Sequence, residues 1–307
     1  MLRALVIGSA AGGGFPQWNS NQPGCNRARR ADSSVRARTQ ASLAVTGNGR
    51  DWYLLNASPD LRQQINDNPE LWPAEGLRSS PIKGVVVTGG DIDVIAGLLT
   101  LRERQPLILS ATSRVHQVLR DNSVFNVLAD DVVRRDTVTL DEPFPLTTPE
   151  GRDSGLTVTL FAVPGKIPLY LEAAAEGALV REGEDTVGAR IADGTRTLFF
   201  VPGCSRMTPA LAERLRDADT VLFDGTLWQD DEMIRAGVGA KSGQRMGHIC
   251  VSGSQGTIAA FAPLGVKRKI LIHINNTNPI LQDDSVEAAF TRDSGWEISY
   301  DGMVIDL

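Results

Sequence analysis

The chain has 307 residues, 42% hydrophobic and 22% charged, with a formal net charge of −6 and no long basic run. This is a globular composition, long enough for one large domain or two smaller ones, and it argues against nucleic acid or an anionic membrane as the main partner. No apolar run reaches bilayer length, and Cys25, Cys204 and Cys250 are too few and too scattered for a disulfide framework, so a reducing cytoplasm is the expected compartment.

Leu2 to Ile7 reads as a first strand rather than a signal peptide, because turn residues follow it at once. The loop Gly8-Ser9-Ala10-Ala11-Gly12-Gly13-Gly14-Phe15-Pro16 fits neither G-x-G-x-x-G nor the P-loop lysine motif. It reads as backbone that comes close to something else, such as a site. Trp18 to Asp32 reads as irregular. Gln40–Thr46 and Trp52–Asn56 form a predicted hairpin turning at Gly47-Asn48-Gly49. A short helix is expected from Asp60 to Asn66, behind Pro59.

The stretch from Val85 to Leu99 organises the chain. Val85-Val86-Val87 reads as a buried strand, extending back to Ile82 and closed by Thr88-Gly89-Gly90. Asp91 and Asp93 follow, and then a helix is expected from Ile95 to Leu101. Acidic side chains just past a strand, at a helix start, sit where α/β proteins place chemistry. They are equally suited to capping the helix.

Further along, Leu107–Ser110 is a strand and Ser113–Asp121 a helix carrying His116. Valine and threonine recur at strand spacing through Val132–Leu160, with turns at Glu142-Pro143 and Gly151-Arg152-Asp153. Strands are expected at Leu156–Val163, Gly188–Ile191, Thr197–Val201, Thr220–Phe223, Lys269–Ile274, Glu297–Tyr300 and Met303–Leu307. Helices are expected at Pro209–Leu215, with Thr208 as N-cap, and at Ser254–Phe261. No linker or low-complexity segment interrupts the pattern, so residues 1–307 read as a single domain.

Three clear strands end in residues that can bind metal: Asp91/Asp93, Asp224 and His273. Asp93, Asp224 and His273 make two carboxylates and one imidazole, a set suited to iron(II), manganese or zinc with open positions. His248 lies between glycines in Met246-Gly247-His248, a shaped loop, whereas His116 has no such company and reads as structural or exposed. The aspartates can equally be helix caps and His273 a satisfied core residue.

Several motifs in this order and spacing carry a resemblance. They are the segment from Gly8 to Asn19, Ala41-Ser42, Asn56-Ala57-Ser58-Pro59-Asp60, Val163-Pro164-Gly165-Lys166, Asp224-Gly225-Thr226, Met246-Gly247-His248, and the run from Ile272 to Pro279. Together they make the chain similar, over essentially its whole length, to the coenzyme pyrroloquinoline quinone (PQQ) biosynthesis protein B family of the metallo-β-lactamase superfamily. The superfamily's T-H-x-H-x-D-H motif falls on Thr88-Gly89-Gly90-Asp91-Ile92-Asp93-Val94, where only Asp93 keeps a metal-binding residue type of that motif in place. Many relatives in the family keep a histidine where Val94 stands. The bridging aspartate falls on Asp224, the last histidine on His273 and a loop histidine on His248.

The resemblance implies an α+β fold, the four-layer αβ/βα sandwich of two mixed β-sheets flanked by helices. It implies one divalent metal, iron(II) in the cell with zinc or manganese possible as purified, on Asp91, Asp93, Asp224 and His273. His248 and Asp93 are the expected catalytic residues, and Ser9 and Asn276 the expected substrate contacts. Some relatives bind a structural zinc through an N-terminal cysteine cluster. Here only Cys25 remains of it, short of four ligands, and no structural zinc is expected. The implied activity is hydroxylation of the tyrosine ring in a cross-linked Glu-Tyr precursor of PQQ by a non-haem iron(II) oxygenase. Dioxygen, the precursor (a small molecule or short peptide) and other PQQ biosynthesis proteins are the implied partners, with a homodimer left open. The alternatives are a soluble carrier of PQQ or its precursor toward the periplasm and, last, a metal-dependent hydrolase.

Overall fold

The computed structural model describes residues 1–174 and 179–307. The first half of the chain builds one sheet: β1 (Arg3–Gly8), β2 (Ser42–Thr46), β3 (Trp52–Leu55), β4 (Ile82–Val86), β5 (Leu107–Ala111) and β6 (Val133–Thr137), side by side in that order. The first three run antiparallel to one another and β3 to β6 run parallel. Helices α1 (Pro23–Arg29), α2 (Leu61–Asp67), α3 (Ile92–Ile95) and α4 (Ser113–Asp121) lie between these strands in the sequence.

The second half opens with β7 (Pro143–Thr147) and β8 (Asp153–Ala162), then a two-stranded ribbon of β9 (Gly165–Lys166) and β10 (Val180–Arg181). β11 (Val187–Ala192), β12 (Thr197–Val201), α5 (Pro209–Leu215) and β13 (Thr220–Asp224) follow. After α6 (Glu232–Arg235), α7 (Gly243–Met246) and α8 (Thr257–Phe261) come β14 (Arg268–Ile272), α9 (Val286–Asp293), β15 (Glu297–Ile298) and β16 (Met303–Asp306). The second sheet has the order β15-β14-β13-β12-β11-β8-β7, parallel from β12 to β15. β16 crosses back to pair with β1, so the chain's last strand lies in its first sheet.

Three apolar clusters define the layers. The central one joins Leu43, Val45 and Leu55 of the first sheet to Leu160, Phe200 and Leu222 of the second. A second, with Leu61, Leu98 and Val115, lies between the first sheet and α2 to α4. A third, with Phe223, Leu211 and Phe261, lies between the second sheet and its helices. Each sheet is therefore buried on both faces, which explains why its strands read as continuous apolar runs. The result is the expected αβ/βα sandwich of two mixed sheets. No helix among the described residues is long and apolar enough to cross a membrane.

Local chemistry accounts for where the elements differ from expectation. The irregular stretch expected from Trp18 to Asp32 contains α1, started by Pro23 at its first turn and favoured by Arg27 and Arg29 in its last. The helix expected over Ile95–Leu101 begins earlier, at Ile92, and tightens into a 3₁₀ turn over Ala96–Leu101. Gly97 donates its N–H to the Ala57 carbonyl at 2.8 Å, and a Cβ there would lie only 2.1 Å from the Ser58 oxygen. The Ser254–Phe261 helix begins only at Thr257, after Gly256. Pro143, read as a turn residue, opens the edge strand β7, where its missing N–H costs no ladder bond.

Asp193 connects the two sheets. Its side chain, 10% exposed, accepts from the Leu2 N–H at 3.0 Å, beside β1, and from the Thr195 and Arg196 N–H groups in the β11–β12 turn. Burial works against the charge, yet these N–H groups outweigh it and hold the carboxyl at about 2. A depressed carboxyl adds stability above its unfolded pKa of 3.8 that is lost as pH falls through about 2; here this is roughly 2 kcal/mol. We propose that residues 1–307 unfold as one domain. Calorimetry should show a single transition at pH 7, lowered by roughly 5 °C in Asp193→Asn. The difference should close between pH 4 and pH 2, and two independent transitions would refute the single domain.

Candidate metal site

The site forms where the strand ends of both sheets meet. β13 and β14 are parallel neighbours with Asp224 opposite Ile272, so the residue after β14, His273, comes beside Asp224. His273 has φ +60°, an unusual left-handed conformation for a histidine, which turns the chain at the end of the strand. Across the cavity, the loop after β4 carries Asp91 and Asp93. Backbone bonds tie the two halves together: Val187 N–H donates to the Thr88 carbonyl at 2.9 Å, and Ala11 N–H to the Ile274 carbonyl at 2.9 Å.

Asp224 is fully buried and its two oxygens are fully engaged. Oδ1 accepts from Thr226 N–H at 3.0 Å and Thr226 Oγ1 at 2.6 Å. Oδ2 accepts from Cys204 N–H at 2.8 Å and lies 2.7 Å from His248 Nδ1. The Thr226 hydroxyl also lies 2.8 Å from His273 Nδ1 and 3.1 Å from His248 Nδ1. The two imidazoles stack with centroids 5.2 Å apart. Ligand-capable atoms of Asp224, His248 and His273 all lie within 4.8 Å of one another, the metal-competent group found among the described residues. Two imidazoles and a carboxylate at the base of a cavity suit a divalent transition metal.

Asp93 lies outside that group but touches it, with Oδ2 3.0 Å from His273 Nε2. Burial alone would raise the Asp93 pKa, but the hydrogen bond and charge of His273 hold it below the usual carboxylate range. Burial would likewise lower His273, and Asp93 holds it above the usual imidazole value. Asp91 sits at the N-cap position of α3 without capping it. Its Oδ1 accepts instead from the Leu169 N–H at 3.3 Å. Burial and then the neighbouring Asp93 push Asp91 up to about 6.

These groups line a cavity of about 730 Å³, together with Gly12, Asn56, Val94 and Lys166. The other expected residues lie behind its wall. Ser9 is fully buried and donates to Asp301 Oδ1 at 2.7 Å, so its hydroxyl fixes the glycine loop while Gly12 and Gly13 form the wall. Asn276 donates to Gln17 and so holds a cavity residue rather than lining the cavity itself. His116 is buried and bonds the Asp136 carbonyl at 3.0 Å, a structural role. Thr226, Lys166 and Tyr170 escape the reading of single residues. The first two lie in motifs that carry the resemblance, whereas Tyr170, whose hydroxyl donates to the Gly90 carbonyl, has no local signal.

The fold and this site define a member of the β-lactamase superfamily, whose domain description matches residues 51–274. Within it, the chain belongs to the coenzyme PQQ synthesis protein B family. It is 56% identical to coenzyme PQQ synthesis protein B of Gluconacetobacter diazotrophicus over 99% of both chains. It is 52% identical to that of Methylorubrum populi over the full length of both. The crystal structure of Zn2+-bound PqqB from Methylobacterium extorquens superposes with a TM-score of 0.94 at 51% identity, covering 99% of this chain and all of the other.

We propose that Asp224, His248 and His273 hold the metal and that Asp93, beside the His273 Nε2 that would face the ion, stands next to it without being one of the three ligands. Titration with Co2+ against a competing chelator should show Asp224→Asn and His248→Ala losing at least about 100-fold in affinity. Asp93→Asn should lose about tenfold, from the negative charge removed beside the ion rather than from a lost ligand. Equal losses would place Asp93 among the ligands. Asp91 offers a separate test on the metal-free protein. A raised carboxyl is fully stabilising below its unfolded value of 3.8, and this is lost as pH rises through about 6. Asp91→Asn should therefore raise the melting temperature at pH 8, by the equivalent of roughly 2–3 kcal/mol, and leave it unchanged at pH 4.

Proposed function

We propose that the chain acts in PQQ biosynthesis as a non-haem iron(II)-dependent hydroxylase of the tyrosine ring in the cross-linked Glu-Tyr precursor. The observation that carries this reading is the two-imidazole, one-carboxylate group of His248, His273 and Asp224. That donor set leaves positions open and is the one non-haem iron(II) oxygenases use. The Methylobacterium extorquens relative is Zn2+-bound, zinc also accepts imidazole and carboxylate ligands, and zinc in a purified sample is compatible with iron in the cell. The cavity of about 730 Å³ accommodates a substrate of a few dozen atoms.

Bound on these three residues, iron(II) would supply the activation of dioxygen. The protein's own groups set the geometry and the protons. Asp224 Oδ2 fixes the His248 ring through Nδ1, and Thr226 Oγ1 fixes His273 through Nδ1. Metal binding requires neutral imidazoles, so His273 gives up the proton that Asp93 stabilises. Asp93 Oδ2, next to His273 on the cavity wall, is then the acceptor for a phenolic proton of the substrate.

The test is oxygen uptake by anaerobically purified, iron(II)-reconstituted protein given the cross-linked precursor. Uptake should match the oxygen incorporated in the product by mass spectrometry. His273→Ala should slow it by at least about 100-fold, the scale of several kcal/mol of lost metal-derived stabilisation. Binding of the precursor without oxygen consumption would favour the carrier reading instead.

A further inference from the structure

A second cluster stands on the wall of the same cavity, outside the metal group. Lys166 of β9 and Lys241 both line the cavity. Arg245, in α7, lies close by. All three meet one carboxylate. Lys166 Nζ forms an ion pair with Glu172, Lys241 Nζ lies 3.4 Å from Glu172 Oε1, and Arg245 lies 3.3 Å from Oε2. Glu172 belongs to the 3₁₀ turn Leu169–Ala174, whose Leu169 and Tyr170 also line the cavity.

Three features set this cluster apart from an ordinary surface ion pair. First, the charges do not match. Three cations meet one carboxylate at contact distance, and of the other carboxylates on the cavity Asp91 feels the charge of Lys166 from farther off. Second, the Lys166 and Glu172 side chains are only 12% and 15% exposed, so they are packed against the protein rather than extended into solvent. An ammonium in that position interacts strongly with any anion that reaches it. Third, the scaffold is built to bring the groups together. Gly247, at φ +91°, ends α7 against Lys166, and a Cβ there would lie 2.7 Å from the Lys166 Cβ. Only a glycine allows the strand that carries Lys166 to press against the turn between Arg245 and His248.

The cavity thus has a wall of each sign: the aspartates and histidines of the metal group, and this cationic cluster. We propose that Lys166, Lys241 and Arg245 form a carboxylate-binding subsite, and that Glu172 is an internal carboxylate which a carboxylate of the substrate displaces. This deepens the proposed function and rests on it, since a precursor built from glutamate and tyrosine carries carboxylates, as PQQ itself does. The subsite aligns the substrate by its acidic end and leaves its ring to the metal end. Glu172, held down at about 2 by Lys166 above all, stays ionised and competes with the ligand at every working pH.

The test is calorimetric titration of the metal-loaded protein with three probes: PQQ, its trimethyl ester and glutarate. Wild type should bind PQQ at least about tenfold more tightly than the ester. Lys241→Met, a half-exposed position that should leave the fold intact, should weaken PQQ about tenfold and leave the ester unchanged. Glu172→Gln removes the competitor and should tighten PQQ about threefold to tenfold. A purely structural Glu172 would instead give weaker binding, and that result overturns the proposal. Unchanged PQQ affinity in Lys241→Met and Glu172→Gln would remove the subsite and leave the pathway reading intact. If wild type ignores PQQ but glutarate shows the Lys241 and Glu172 effects, the subsite stands and the pathway reading falls. Binding of neither probe refutes both.

Discussion

The site depends on the buried carboxylate of Asp224. A charge with no exposure is tolerated only when its lone pairs are filled, and here four groups fill them: Thr226 N–H and Oγ1, Cys204 N–H and the His248 ring. Each partner comes from a different turn. Cys204 brings the loop after β12, Thr226 the loop after β13, and His248 the loop after α7. Satisfying one anion therefore fixes three loops, and through the Thr226 hydroxyl it also fixes His273. The same residue that holds the loops in place belongs to the metal-competent group, where an ion would displace one of these contacts.

The architecture explains why these loops meet. In each sheet the parallel strands run from the middle to one edge, β3 to β6 and β12 to β15, so several strand ends point the same way. β13 and β14 end side by side, and the loop after β4 reaches the same rim from the other sheet. The backbone bonds from Val187 to Thr88 and from Ala11 to Ile274 then close the two layers around the cavity. Side chains that are far apart in sequence, Asp93 and His273 among them, meet because the sandwich aligns the ends of its strands rather than because of any local motif.

That geometry also separates what the sequence makes legible from what it does not. Long apolar strands and well-capped helices can be read directly: Ser113–Asp121 and Pro209–Leu215 are helices with the expected bounds, and Thr208 accepts from Leu211 N–H at 3.2 Å as a cap should. The metal group is legible only in part. Asp224 and His273 stand out as polar residues that end apolar strands, but the pairing of His248 with Asp224 rests on a loop fold with no periodicity to read. Asp93, expected as a ligand, lies outside the metal-competent group but 3.0 Å from His273 Nε2, and a spacing cannot tell such a neighbour from a ligand. Ser9 and Asn276 fall in motifs that shape the site, yet their side chains are used inside the scaffold, against Asp301 and Gln17. Lys166, Lys241 and Glu172 are ordinary surface residue types until the ribbon and α7 bring them to one wall.

Thr88-Gly89-Gly90 brings no imidazole to the cavity, and among the described residues one metal-competent group is found there. Histidines of the superfamily motif correspond to Gly89, Asp91 and Val94, and the structure shows what a side chain would meet there. A Cβ on Gly89 would lie 3.2 Å from the Asp185 carbonyl oxygen, and one on Gly90 would lie 3.2 Å from Pro168 and 3.3 Å from Val118. The segment after the β9 ribbon presses on this loop and is held there by the hydroxyl of Tyr170 on the Gly90 carbonyl and by the Leu169 N–H on Asp91. Of the three positions only Gly89 lacks a side chain, and a Cβ there would crowd the Asp185 carbonyl, whereas Asp91 and Val94 already reach the cavity, so what is missing there is the residue type rather than the space. The absence of histidines at these three positions stands beside the cluster of Lys166, Lys241 and Arg245 on the same cavity. It removes the donors a two-metal hydrolase uses and leaves one metal group facing a surface suited to acidic substrates.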